Sequence, residues 1–342
     1  MDSQSIKNAA YLRQMYQLTL EDYQESIQHG RNTATQLQSL VNSHDLAFLA
    51  EKLKNACGVV SRQKVFKLEL DTGMLPMVLA YVRSRPELLQ HTAIAVYYFG
   101  YLSLTEPLND ESFFSLKTCL QTAGQQFPVE ELRDVYLIAI NFCIHRINLR
   151  EEVYLKEVFD LYRQGLDSGV FLDQGGISRF TYTNIAFAGL RLNAYEWVLD
   201  FLHKYRDYLP EAQKHGTYSF NLARYYCEKG DFEQAMPLLQ TMDFDDVLHN
   251  LTAKAMLAKM YVDTGEIVAL DSLLSSLGAY LRRKKQVTEQ QRLAYKNFIR
   301  FVKRIANQSW MSKRKVEVLK LEIAATPLVA EKDWLMRIID AK

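Results

Sequence analysis

Glycine and proline are scarce, at 14 and 7 of 342 residues. All-β folds spend both residue types on frequent turns, so the scarcity argues against a strand-rich architecture and for long helices. The four cysteines, Cys57, Cys119, Cys143 and Cys227, lie far apart and form no Cys-x-x-Cys pair. They read as small buried apolar residues of a reducing compartment, not as a disulfide framework or a zinc cluster. No uncharged apolar window approaches the length of a membrane span. Met1-Asp-Ser-Gln-Ser-Ile-Lys-Asn8 has no basic region followed by an apolar run, so no signal peptide is evident and a cytoplasmic location is expected. The chain has no G-x-G-x-x-G, no G-x-x-x-x-G-K-[ST] and no G-x-S-x-G. Its seven histidines include no i,i+4 pair. No metal and no cofactor are expected. The carboxylate pairs Glu130-Glu131 and Glu151-Glu152 fall at helix starts, where the dipole accounts for them. With no catalytic constellation to assign, the chain reads as a non-enzyme.

Apolar residues are 48% of the chain, and Tyr (20) and Phe (17) are plentiful, as expected where large side chains fill gaps between stacked helices. The length suits two domains or one elongated solenoid. Helical spacing of apolar residues recurs almost throughout. In the N-terminal half, helices are expected over 4–29, 33–41, 46–57, 62–70, 73–83, 86–102, 109–121, 128–146 and 150–168. Gly30 should stop the first, and Asn42-Ser-His-Asp45 should separate the second from the third. The runs 93–102 and 136–144 are apolar nearly all round, the mark of helices buried on several sides. Gly175-Gly176 is the expected boundary between divergent hairpins over 1–170 and clearer repeats over 177–342. Helices over 177–190 and 195–208 follow, with Asn193 in a left-handed turn. Asp243, Asp245 and Asp246 are expected to cap the helix beginning near Val247. Helices over 287–307 and 313–325 come next, and a last one over 332–341 should cover them with Trp334, Leu335 and Ile338.

The clearest order lies in residues 217–285. A shift of 35 overlays Leu222 on Leu257, Ala223 on Ala258, Tyr226 on Tyr261, Gly230 on Gly265 and Leu239 on Leu274. The two alanines admit a neighbouring helix, and the two glycines sit where a helix ends in a left-handed residue. Asp231 and Glu266 then open the next helix, where a carboxylate suits the dipole. With Phe232 and Ala235, this unit resembles the tetratricopeptide repeat. It departs from that family in having Ser219 where a Trp is usual, Val247 where a Pro is usual, and Leu270 for an Ala. The resemblance implies an all-α, right-handed α-solenoid of antiparallel helical hairpins, with essentially no β-sheet. It also implies a concave groove that holds a protein or peptide partner, lined here by Phe220, Arg224, Ala255 and Lys259. Arg224 and Lys259 would face an acidic side chain or a chain-terminal carboxylate. Phe220 and Ala255 stand where the chaperone-tail binding type has polar or basic side chains.

Charge is segregated. Residues 1–277 carry 25 Lys and Arg against 34 Asp and Glu, net −9, whereas residues 278–320 carry 13 against 2, net +11. Arg282-Arg-Lys-Lys285 opens this segment. At 100° per residue, Arg292, Lys296, Arg300, Lys303 and Arg304 fall within an arc of about 120°. Ala294, Phe298, Phe301, Val302 and Ile305 take the opposite side. The cationic stripe of Arg292, Lys296, Arg300 and Lys303 reads as a docking face for an acidic protein segment. Nucleic acid is the alternative partner, weakened by the lack of aromatics interleaved on that face. An enzyme whose site leaves no sequence signature, and a purely solvated stripe, are the other readings.

Overall fold

The computed structural model describes residues 6–29, 34–67, 69–123, 126–240, 247–306 and 313–341. Among the described residues there are sixteen α-helices, two 3-10 turns and no strand; a lone bridge pairs Asp173 with Gly176. The chain is all-α, and no helix among the described residues is long and apolar enough to cross a membrane. Gly30 and 243–246, expected as a helix stop and a cap, lie outside the described residues.

Packing divides the chain into two compact units, Met1–Thr181 and Tyr182–Lys342. The first holds α1 (Ala9–Gln28), α2 (Ala34–Phe66), α3 (Leu75–Ser84), α4 (Thr92–Thr105), α5 (Asp110–Ala123), α6 (Val129–Asn148) and α7 (Val153–Asp167). The expected boundary at Gly175-Gly176 sits instead inside this unit. Asp173 and Gly176 exchange backbone hydrogen bonds of 2.7 and 2.8 Å, and Arg133 of α6 donates to the carbonyls of Val170 and Leu172. Those bonds fasten the turn to α6.

α4 and α6 are the central helices of this unit, as their apolar runs require. Ala93–Tyr98 are all buried on α4, which packs against α2, α5 and α6. α2 corrects one expectation: it runs unbroken for 33 residues through Asn42, Ser43 and Gly58. The polar side chains that could have capped a new helix bond along this one instead: Ser43 Oγ donates to Leu40 O, and Gln38 donates to Asn42. One interior glycine costs only about 1 kcal/mol. A second correction concerns 86–102. Pro86–Gln90 closes as a 3-10 turn, and His91, extended at ψ 108°, separates it from α4.

The second unit holds most of α8 (Arg179–Arg191), then α9 (Tyr195–Lys204), α10 (Glu211–Glu228), α11 (Phe232–Gln240), α12 (Val247–Thr264) and α13 (Ile267–Arg283). It ends with α14 (Glu289–Ala306), α15 (Lys313–Ala325) and α16 (Lys332–Ala341). Gly230 and Gly265 both have φ +76°, and Asn193 has φ +56°, so all three left-handed turns stand where the sequence places them. Asp231 Oδ1 then accepts the Gln234 N–H and caps α11. Ala223 and Ala258 are fully buried. α10 packs on α11 and α12, and α12 on α13 and α14. α16 lies on α14 and α15. Its buried residues are Trp334, Leu335 and Ile339; Ile338 is only partly covered, because residues 335 and 339 share one row of the helix. Phe298 and Phe301 are wholly buried beneath it, each contributing about 1.5–3 kcal/mol.

Candidate partner-binding surfaces

The repeat register brings two of the expected groove residues together and removes two others. Phe220 is 2% exposed and packs on the His249 ring at 4.7 Å; Ala255 is fully buried. Both belong to the core of the second unit, because α12 lies against α10 on the side that carries Phe220 and Ala223. Phe220 is therefore not a groove residue.

Arg224 and Lys259 line one cavity of about 460 Å³. α10 supplies Arg224, Cys227 and Glu228; α12 supplies Thr252, Met256 and Lys259. The remaining wall is the segment that leads into α16, from Val329 through Glu331 and Trp334 to Arg337. The Arg224 guanidinium stacks 4.3 Å over the Phe187 ring of α8. Among the described residues it has no hydrogen bond and no ion pair. Burial holds its pKa below the ordinary guanidinium value, against the more distant pull of Glu228 and Glu331. Lys259, by contrast, is paired with Glu331, whose backbone is left-handed at φ +56°. Cys227, in the same wall, has its thiol pushed up to about 11 by burial.

The wall is tied down from outside. Ala330 N–H donates to Ala294 O at 3.1 Å, and Asn297 Nδ2 donates to Leu328 O at 2.8 Å, both from or onto α14. Lys332 Nζ donates to the carbonyls of Ala324 and Thr326. Glu331, Arg337 and Phe187 were not singled out by the sequence. Lys332 was read only as the start of the last helix, and the approach of Glu331 to Lys259 is a tertiary contact with no local signature.

The cationic row on α14 separates by residue type. Arg292 is turned back onto its own helix start: it donates to Glu289 and to the carbonyls of Lys284 and Val287, leaving its side chain 17% exposed. Arg300 lies over the Phe301 ring and 3.6 Å from Glu322 of α15, which also pairs with Arg304. Lys296 and Lys303 are exposed and have no ion pair among the described residues. Arg282, Arg283, Lys284 and Lys285 are exposed at the end of α13. Tyr295, Phe298 and Phe301 are buried, so they offer no ring to a base stacking on this face.

Among the described residues no group of His, Cys, Asp and Glu is placed to hold a metal ion. Comparison with known protein families, with curated proteins and with solved structures finds no match.

Proposed function

We propose that this protein is a non-enzymatic interaction scaffold, a tetratricopeptide-like right-handed solenoid that docks an acidic segment of a partner protein on its basic C-terminal face. The observation that carries the reading is the division on α14. The arginines of the row are engaged within the chain, whereas Lys296 and Lys303 are exposed and, among the described residues, have no ion pair. Like charges on one helix face repel by a few tenths of a kcal/mol per pair. Glu289 and Glu322 offset the arginine share of that repulsion, and an acidic partner would offset the lysine share. The groove between α10 and α12 contributes a second binding element through Arg224 and Lys259.

A protein partner is preferred to single-stranded nucleic acid because, among the described residues, the aromatic rings of α14 are buried and the cationic row presents none for stacking. The test compares the intact chain with K296E/K303E, both immobilised at physiological salt. The variant keeps its helical circular dichroism, since both side chains point to solvent, and loses the proteins that the intact chain retains. A folded variant that retains the same proteins overturns the docking face. Titrating duplex and single-stranded nucleic acid against salt separates the alternative, whose affinity would fall steeply.

A further inference from the structure

We infer that the groove between α2 and α3 is a self-association face, on which the same groove of a second copy of this chain docks about a two-fold axis. The inference goes beyond the docking of a partner on α14 and uses other residues, so either can fail alone.

The groove is an open cavity of about 330 Å³. Its floor is Leu49 and Val78, both buried. Phe48 of α2 forms one wall, and Met77 and Tyr81 of α3 form the other, all three exposed. The apolar character continues along the chain at helical spacing. Val41 stands seven residues before Phe48, Leu37 four before Val41, and Met74 three before Met77. These three are exposed as well. Monomeric proteins scatter large exposed apolar side chains singly, and a paired row of this kind marks a surface that another surface covers. Met77 is 67% exposed, and a flexible methionine fits itself to an apolar counterpart.

Charge identifies the counterpart. At one end of the groove Asp45 stands on the α2 side, in the cavity lining with Tyr81. Arg85 stands on the α3 side, 4.9 Å over the Tyr81 ring. At the other end the signs are exchanged. Lys52 stands on the α2 side, its Nζ 3.8 Å from where a Cβ on Gly73 would lie. Asp71, which accepts the Gly73 N–H, stands on the α3 side. None of these four side chains has an ion pair among the described residues. A two-fold axis along the groove lays the α2 side of each copy on the α3 side of the other, level for level. Asp45 then meets the partner's Arg85, Lys52 meets the partner's Asp71, and Phe48 meets the partner's Met77. A helix of uniform charge would meet one matched and one opposed sign along each side, so the pattern favours a second copy over an acidic or a basic segment. The apolar centre supplies affinity, and the four charges fix the register.

The experiment measures the mass of the full chain in solution by light scattering, from about 1 to 100 μM. The intact chain should pass from monomer to dimer across that range. M77E, D45R and R85D should each weaken the dimer by roughly tenfold or more, because a two-fold axis makes every contact twice. D45R/R85D, with the signs exchanged, should regain most of the affinity that either single variant loses. K296E/K303E should dimerise as the intact chain does. All these side chains are exposed, so the variants should keep their helical circular dichroism. Should M77E not fold, the unmodified chain decides: mild peroxide should oxidise Met77 more slowly as protein concentration rises. An intact chain that stays monomeric, a dimer indifferent to M77E, a charge exchange that restores nothing, loss of the dimer in K296E/K303E, or oxidation of Met77 independent of concentration each overturns the inference.

Discussion

Gly165 and Gly230 lack a side chain for different physical reasons. Gly230 has φ +76° with open space where a Cβ would stand. Its replacement by Ala strains only the backbone, at about 1–2 kcal/mol. Gly165 lies in α7 with helical backbone, and a Cβ there would overlap the Phe171 ring. Phe171 is buried between Tyr136 and Tyr162, so it has little room to retreat. G165A should therefore cost more than G230A, about 3 kcal/mol or above as overpacking does. Thermal unfolding of the two variants checks the order; equal losses would mean that Phe171 relaxes freely. Gly230 was legible because a turn glycine recurs at Gly265. Gly165 was not, because its constraint comes from a ring brought back by the chain reversal after α7.

Among the elements, the start of α6 joins three other helices through one carboxylate. Glu131 accepts hydrogen bonds from Asn8 at the cap of α1 and from Tyr97 of α4, and pairs with Lys54 of α2 at 2.7 Å. Burial alone would raise its pKa, but Lys54, Tyr97 and Asn8 together hold it below the ordinary value. A carboxyl whose folded pKa is depressed contributes its stability above its unfolded pKa, and that contribution fades as pH falls through the folded value. E131Q should lose about 2 kcal/mol at neutral pH, and its stability should fall less steeply on acidification than that of the intact chain. Denaturant midpoints measured from neutral to acidic pH test this; parallel curves would remove Glu131 from the acid response. The sequence assigned this glutamate only to a helix start, which is true but partial. The same limit applied to α2, where capping residues were visible but their bonds along the continuing helix were not.

At the scale of the whole chain, periodicity revealed an all-helical protein because long amphipathic and fully apolar runs have no other economical burial. The division into two units was less legible. Gly175-Gly176 marks a turn correctly, yet Arg133 fastens that turn to α6, so packing carries the division beyond it into α8. Of the candidate surfaces, the cationic row could be read from helical spacing alone. Which of its members are occupied depended on Glu289 and Glu322. The cavity was half legible: repeat register aligned Arg224 with Lys259, whereas the residue that claims Lys259, Glu331, arrives from the turn before α16, far along the chain.

The bond from Ala330 to Ala294 also sets a clock. Ala330 stands between helices, where amides ordinarily exchange their hydrogens with solvent as fast as local loop motion allows. Its N–H is instead engaged by the middle of α14, whose neighbours Tyr295 and Phe298 are buried. The wall of the cavity can then open only as often as its hold on α14 is released. Hydrogen–deuterium exchange followed residue by residue should find the Ala330 amide slow, in step with the interior of α14. Exchange at the rate of an unprotected amide would show that the wall opens independently of that helix.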